Sequence, residues 1–235
     1  MRTTIAGADG CRAGWVVVQD SQSGLSLEWR VVPSLKALFS APNAPGLLAL
    51  DIPIGIPESG SRVCDVQARR LLGSPRGRSV FPAPIRPMLT ASTHTEASAI
   101  GRAVEGRGLT IQAWGIVPKI QEVDEFVRTD PGIGDRVREV HPEVCFYFMG
   151  GRRPMAVGKK EAAGREERAA LLRVHFGEAV DRGLADVSRL GCAADDLLDA
   201  FAGLWTARRI QAGTAVCIPD SVERDSHGLR MEMVA

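Results

Sequence analysis

The sequence predicts an α/β fold in which a mixed sheet is covered by helices, and three features indicate it. The first is an apolar hairpin, Thr4–Ala8 and Trp15–Gln19, joined by the turn sequence DGCRAG. The second is the continuous apolar run GLLALDIPIGIP, which is typical of a central strand buried on both faces. The third is a series of helical patterns between and after these strands. A hairpin followed by a helix and a central strand indicates a mixed sheet.

The first quarter of the chain carries four predicted strands and one short helix. The glycines of the turn suit a hairpin with positive φ angles. A third strand is expected at about 25–32, where every second residue is apolar. PSLKALFS starts with proline and serine and predicts a short helix before the fourth strand, which carries Asp51.

The middle of the chain predicts helices around a proline-rich loop. RVCDVQARRLLG predicts a helix closed by Gly73, and the four prolines of SPRGRSVFPAPIRPML predict an ordered loop. Helical patterns return at about 93–107 and 110–128. RVREVHPEVCFYFMGG then predicts a fifth strand with Glu139 near its end.

The last third predicts two helices and two short strands. KKEAAGREERAALLRVHF is expected to be an amphipathic helix with an exposed charged face; that face carries Lys159, Lys160, Arg165 and Arg168. AADDLLDAFAGLWTARRIQAG predicts a helix that begins at its aspartates and is closed by Gly213. Since the elements interleave without a linker, we expect a single domain over 1–235 with a helical and proline-rich insertion at about 60–130.

Composition and charge bear on location and partners. The net charge of +1 gives no global argument for binding nucleic acid, so any basic surface must be local. The five cysteines are scattered and form no C-x-x-C pair, which disfavours a disulfide framework or structural zinc and favours the reducing cytoplasm. We expect no membrane association, because the N-terminus lacks a signal peptide and no apolar run approaches about 18 residues.

Acidic residues end several apolar segments. Asp9, Asp51 and Glu139 each lie at or near the carboxyl end of a predicted strand, where open α/β sheets bind ligands. The last long helix adds a carboxylate pair on one face, either Asp196 with Asp199 or Asp195 with Asp199. We expect these acids to converge.

Converging carboxylates favour a metal site. Like charges in close proximity raise one another's pKa unless a cation lies between them. Carboxylate oxygens suit Mg²⁺ or Mn²⁺, and two such ions about 3.5–4 Å apart are a common device for cleaving phosphodiesters. Each acid taken singly could equally end a strand or cap a helix, so the prediction depends on their joint placement.

Seven short motifs resemble those of a known family. They are GADGCRAGW, ALDIPIGIP, SVFPAP, KIQEVDEF, REVHPE, GREER and DDLLDAFAGLW. In order, and over nearly the whole chain, they resemble the DUF429 family of predicted ribonuclease H-like proteins. The resemblance implies a ribonuclease H-like mixed five-stranded sheet, an antiparallel meander plus parallel strands, flanked by helices.

The resemblance also implies which acids act. In ribonuclease H-like enzymes, acids on the first strand, the fourth strand and the last helix bind the metals; by position these are Asp9, Asp51, Asp196 and Asp199. Glu139, on the predicted fifth strand, is an additional or substitute ligand. All five acids are therefore expected to be catalytic, with Mg²⁺ or Mn²⁺ as cofactor.

Four further residues are candidates for substrate binding. Arg12 and Lys119 could contact a phosphate, mainly because they lie in or beside family motifs; Arg78 belongs to a basic patch with Arg69, Arg70 and Arg76. His141 would share one face of an extended segment with Glu139 and Glu143, and could ligate a metal or relay a proton. The alternatives are a solvated basic surface and a structural histidine.

The leading hypothesis is a metal-dependent hydrolase, a nuclease or phosphodiesterase that uses one or two divalent ions. The first alternative is an ATP-binding phosphotransferase of the actin-like or sugar-kinase type, for which MGGRRPMAVG is the one rough candidate for a second phosphate loop. The second alternative is a non-catalytic module that binds metal or nucleic acid. Nucleic acid as a partner and a homodimer are both left open.

Overall fold

The computed structural model describes residues 4–21 and 26–235. The chain divides into two compact units. The first comprises Met1–Ile52, Asp135–Val216 and Val234–Ala235, and the second comprises Pro53–Gly134 and Cys217–Met233. A single domain with an insertion at about 60–130 stays a prediction.

A five-stranded mixed sheet forms the centre of the first unit. Its strands are β1 (Ile5–Cys11), β2 (Gly14–Asp20), β3 (Leu27–Val32), β4 (Leu47–Asp51) and β5 (Val137–Glu139). The order is β3-β2-β1-β4-β5. The first three strands form an antiparallel meander, while β4 runs parallel to both β1 and β5. The predicted α/β class and mixed five-stranded sheet are confirmed, and the topology is consistent with a ribonuclease H-like fold.

Helices flank the sheet and build the second unit. In chain order they are α1 (Leu35–Phe39), α2 (Val63–Leu72), α3 (His94–Glu105), α4 (Ile111–Thr129), α5 (Pro131–Arg136), α6 (Pro142–Met149), α7 (Ala162–Phe176), α8 (Ala179–Leu190) and α9 (Ala194–Gln211). Two 3-10 turns, Arg76–Ser79 and Arg86–Thr90, occupy the predicted proline-rich loop. A separate two-stranded sheet is formed by β6 (Cys217–Arg224) and β7 (Arg230–Val234). No helix in the described part of the chain is long and apolar enough to cross a bilayer.

The helix α9 lies directly against the centre of the sheet. A Cβ atom on Gly7 of β1 would lie 2.0 Å from the backbone nitrogen of Leu204, so only glycine allows this approach. Gly203 faces the same strand, because its own Cβ would lie 3.1 Å from the Cα of Gly7. Apart from its acids and its last turn, α9 is almost wholly buried and apolar. The close backbone contact fixes the height of α9 over the sheet.

A charge network holds the second unit together. Arg86 donates to Asp124 at 2.9 Å and to Asp225 at 2.6 Å, and it lies 3.7 Å from Glu58. Burial of a guanidinium is costly, and here charge-assisted hydrogen bonds compensate for it. One arginine therefore connects α4 to the β6–β7 hairpin and to the segment before α2.

One prediction about secondary structure is wrong, and the sequence pattern also misses a helix. The fifth strand stops at Glu139, and the aromatic stretch after it forms α6, which begins at Pro142. Proline suits the first turn of a helix, where its missing N–H is not needed. Glu143 therefore lies in the helix and does not share an extended face with Glu139, whereas the backbone of His141 is extended. Between α7 and α9, the structure contains α8, which the sequence pattern did not predict.

The boundaries of the other strands differ slightly. β1 runs through Asp9 to Cys11, so this acid lies within the strand and not in the turn after it. β4 ends at Asp51, as the apolar run suggested, and the proline-containing remainder of that run is not strand. Leu25, the first residue of the predicted third strand, lies outside the described residues.

Candidate metal site

Two parallel strands bring the first two acids together. Asp9 of β1 and Asp51 of β4 are register partners in the sheet. Register partners in neighbouring strands point to the same face, so both side chains project on the side of the sheet that carries α9. Asp9 is buried and Asp51 is half-buried. Two carboxylates are thus placed side by side by the backbone alone.

The helix α9 supplies the third acid. Asp199 lies one turn before Gly203, and Asp9 lies two residues beyond Gly7, the residue that Gly203 faces. Four helix residues cover about 6 Å and two strand residues cover about 6.6 Å, so the two spacings match. The Gly7–Gly203 contact therefore sets Asp199 level with the strand acids.

The three carboxylates form one cluster, which we name the aspartate triad: Asp9, Asp51 and Asp199. One oxygen from each lies within 4.8 Å of the others. The backbone N–H of Gly10 donates to Oδ1 of Asp9 at 2.6 Å. Oδ1 of Asp199 is buried and has no hydrogen-bond partner among the described residues. Hard oxygen donors that converge, one of them buried without a partner, fit Mg²⁺ or Mn²⁺.

Burial and mutual repulsion change how the triad ionises. Burial, and then the charges of Asp51 and Asp199, raise the pKa of Asp9 well above its ordinary value. Burial and Asp199 raise the pKa of Asp51 from 3.8 to about 8. Burial raises the pKa of Asp199 to about 6, although Lys159 opposes the shift. Three neighbouring acids that resist ionisation would gain from a nearby cation.

A lysine already contributes one positive charge to the triad. Nζ of Lys159 donates to Oδ2 of Asp199 at 2.5 Å. Burial lowers the pKa of Lys159, but Asp199, Asp51 and Asp9 outweigh burial and raise it above the ordinary value, so the ammonium stays charged. When all three carboxylates are ionised, the triad and the ammonium of Lys159 together carry a net charge of −2.

Helix α7 holds the loop that carries this lysine. The carboxylate of Glu167 accepts the backbone N–H groups of Ala156 at 2.8 Å and Val157 at 3.1 Å. Arg168, which is fully buried, donates to the carbonyl of Val157 at 3.0 Å. A Cβ on Gly164 would lie 2.0 Å from the carbonyl oxygen of Gly158, so the loop lies tightly against the helix. The motif GREER therefore fixes the chain just before Lys159.

The predicted exposed face of this segment is wrong. Lys159 and Lys160 precede α7, and Arg168 is buried in an ion pair with Glu143. Nζ of Lys160 lies 3.1 Å from Oδ2 of Asp195. Sequence reasoning missed the role of Lys159, and the one available signal was its position after a glycine-rich break.

Two of the predicted catalytic acids lie outside the aspartate triad. Oδ2 of Asp196 accepts the backbone N–H of Ala193 at 3.1 Å, as a capping residue of α9 does. Glu139, at the end of β5, is buried, and its charge contributes to raising the pKa of Asp51. The catalytic roles of Asp196 and Glu139, and the metal-ligand role of Asp196, stay predictions.

The four predicted substrate contacts fall in both units. Arg12 is exposed in the β1–β2 turn, and His141 precedes α6; both belong to the first unit. Arg78, exposed in a 3-10 turn, and Lys119, half-buried on α4, belong to the second unit. Contact of any of them with a substrate stays a prediction.

Comparisons with known proteins give one match. Residues 7–224 match the family described as "Protein of unknown function (DUF429)". No curated protein matches the chain significantly, and neither does any solved structure. The match includes all of the aspartate triad and the loop that carries Lys159.

Proposed function

The chain belongs to the DUF429 family of proteins of unknown function, and we propose that it is a divalent-metal-dependent phosphodiesterase that acts on nucleic acid. The observation that carries the proposal is the aspartate triad, with its converging oxygens within 4.8 Å and its remaining negative charge. Mg²⁺ or Mn²⁺ is the ion class that such oxygens favour.

Each acid of the triad would have its own task. A bound divalent ion supplies a more acidic water and polarises the phosphoryl oxygen. Asp9 and Asp199 are buried and bound by Gly10 and Lys159, so they would hold the ion with little reorganisation. Asp51 is the most exposed of the three, so it would complete the ligand set on the substrate side and orient the attacking water there.

Nucleic acid is proposed as the substrate because the sheet topology and the positions of the acids agree with those expected of ribonuclease H-like proteins. Exposed Arg12, three residues after Asp9, is the nearest basic side chain in sequence that could contact a phosphate. The net charge of +1 predicts weak, local steering of the substrate.

The phosphotransferase alternative finds less support. It needs a loop that offers backbone N–H groups to phosphates, and residues 149–158 were the candidate. In that loop the N–H groups of Ala156 and Val157 are bound to the carboxylate of Glu167. They are therefore not available to a nucleotide.

Cleavage of labelled nucleic acid tests the proposal. RNA–DNA hybrid, single-stranded DNA and branched DNA are incubated with Mn²⁺ and the wild type, Asp199→Asn or Asp220→Asn. Asp220 is an exposed acid of β6 and serves as the matched control. We expect Asp199→Asn to lose about a hundredfold or more in rate, since metal-ion catalysis supplies several kcal/mol of stabilisation. The control should cleave like the wild type.

Two outcomes would contradict the proposal. Cleavage that persists in Asp199→Asn would point to a contaminating nuclease. Binding of Mn²⁺ without cleavage of any substrate would favour the non-catalytic module instead.

A further inference from the structure

We propose that Lys159 takes the place of a second divalent ion, so that the aspartate triad holds one Mg²⁺ or Mn²⁺ and not two. The inference rests on the proposed function, because it assumes that the triad binds metal. It concerns the number of ions and the residue that sets this number.

The position of the ammonium carries the inference. Nζ of Lys159 lies 2.5 Å from Oδ2 of Asp199, and the oxygens of the triad lie within 4.8 Å of one another. Two catalytic ions are usually about 3.5–4 Å apart and share a bridging carboxylate. With Oδ2 bound to Lys159, Asp199 offers one oxygen, Oδ1, which has no hydrogen-bond partner among the described residues. One oxygen without a partner suits one ion.

The charges lead to the same number. The triad and Lys159 together carry two negative charges when every acid is ionised, which one divalent ion neutralises. The neighbouring acid Glu143 has a positive partner of its own, Arg168. Glu143 therefore adds no unbalanced charge to the triad.

The lysine is also held in place. Its loop is fixed from behind by Glu167 and Arg168, which bind the backbone of residues 156 and 157. The side chain of Lys159 is 36% exposed, whereas that of Lys160 is 84% exposed. A lysine on a mobile loop would lose backbone and side-chain entropy when it pairs with Asp199. Because the loop of Lys159 is already anchored, the entropic cost of this ion pair is smaller.

Counting bound Mn²⁺ tests the inference. Titration followed by the electron paramagnetic resonance signal of free Mn²⁺ gives the number of ions per chain and their affinities. The proteins are the wild type, Lys159→Met, Lys159→Gln and the control Lys160→Met. Methionine keeps the length of the side chain and removes the charge, and Lys160 lies on the same loop. Circular dichroism checks that each variant is folded.

We expect one ion for the wild type and for Lys160→Met. Both Lys159 variants should bind two ions, and the first should bind about tenfold more tightly because a competing positive charge is gone. A wild type that binds two ions would overturn the inference while leaving the proposed metal site intact. So would folded Lys159 variants that bind one ion with unchanged affinity. A wild type that binds no Mn²⁺ would overturn both the proposed function and this inference.

Discussion

Asp9 and Asp51 are register partners on adjacent parallel strands, and their carboxylates project towards the same helix. The backbone therefore forces two acids into proximity before any side chain adjusts. Burial and the charge of Asp199 add to the repulsion and raise the pKa of Asp51 to about 8. The arrangement costs stability in the absence of a cation, which is typical of a site selected for binding and not for folding.

The first prediction concerns pH in the absence of divalent ions. Asp51 has a higher pKa when folded, about 8, than the value of 3.8 that it has when unfolded. The folded state then binds more protons, so stability falls as the pH rises from about 4 to about 8. Between pH 5.5 and 8 the wild type should lose about 3 kcal/mol relative to Asp51→Asn in urea unfolding with chelator present.

The comparison with Asp51→Asn cancels the contributions of titrating groups that the charge of Asp51 does not influence. Burial lowers the pKa of His175, which gives a contribution of opposite sign over the same pH range in both proteins. Saturating Mg²⁺ should abolish the loss of wild-type stability between pH 5.5 and pH 8. Parallel pH profiles for the two proteins in chelator would show that Asp51 ionises normally.

The second prediction separates the two acids of α9. Asp196 caps the helix, so Asp196→Ala should lower the free energy of unfolding by about 1 kcal/mol. It should leave the Mn²⁺ affinity within about threefold of the wild type, because Asp196 lies outside the triad. Asp199→Ala should lower that affinity by about a hundredfold, as expected when one of three ligands is lost. Isothermal titration calorimetry measures the Mn²⁺ affinities of the two variants. An equal loss of affinity in both would show that Asp196 is also a ligand.

The third prediction concerns the contact that sets the height of α9. A Cβ in Gly7→Ala would lie 2.0 Å from the backbone nitrogen of Leu204, so the helix must shift. We expect a loss of about 3 kcal/mol or more in the free energy of unfolding. The control is Gly115→Ala on α4, where a Cβ meets nothing within 4 Å. It should be neutral or stabilising by up to about 1 kcal/mol. Equal effects of the two substitutions would contradict the account.

Much of the site could be predicted because its acids follow local rules. Asp9 and Asp51 each come at or near the end of an apolar run, and such runs predict central strands. Asp199 lies on a helix that is otherwise apolar on nearly every face, so its burial is unusual for an acid. The parallel register that makes Asp9 and Asp51 partners is a tertiary property, and the sequence only suggested it.

The rest depends on contacts between distant segments. Lys159 has the sequence context of a charged helix, and it belongs to the site because Glu167 and Arg168 anchor its loop. Arg168 is buried because Glu143, 25 residues away, is its partner. The aromatic residues after Pro142 have high strand propensity, yet they form a helix that packs on α9. Tertiary packing overrode local preference in each case.

The central claim is that the aspartate triad binds a divalent ion, and thermal unfolding with Mn²⁺ tests it most directly. At about a hundred times the dissociation constant, binding should add about 2.7 kcal/mol of stability. For a chain of this length, that raises the melting temperature of the wild type by roughly 5–10 °C. Asp9→Asn combined with Asp51→Asn should abolish the rise, while the exposed control Asp220→Asn should keep it. No rise in the wild type at millimolar Mn²⁺, or an equal rise in the double variant, would contradict the claim.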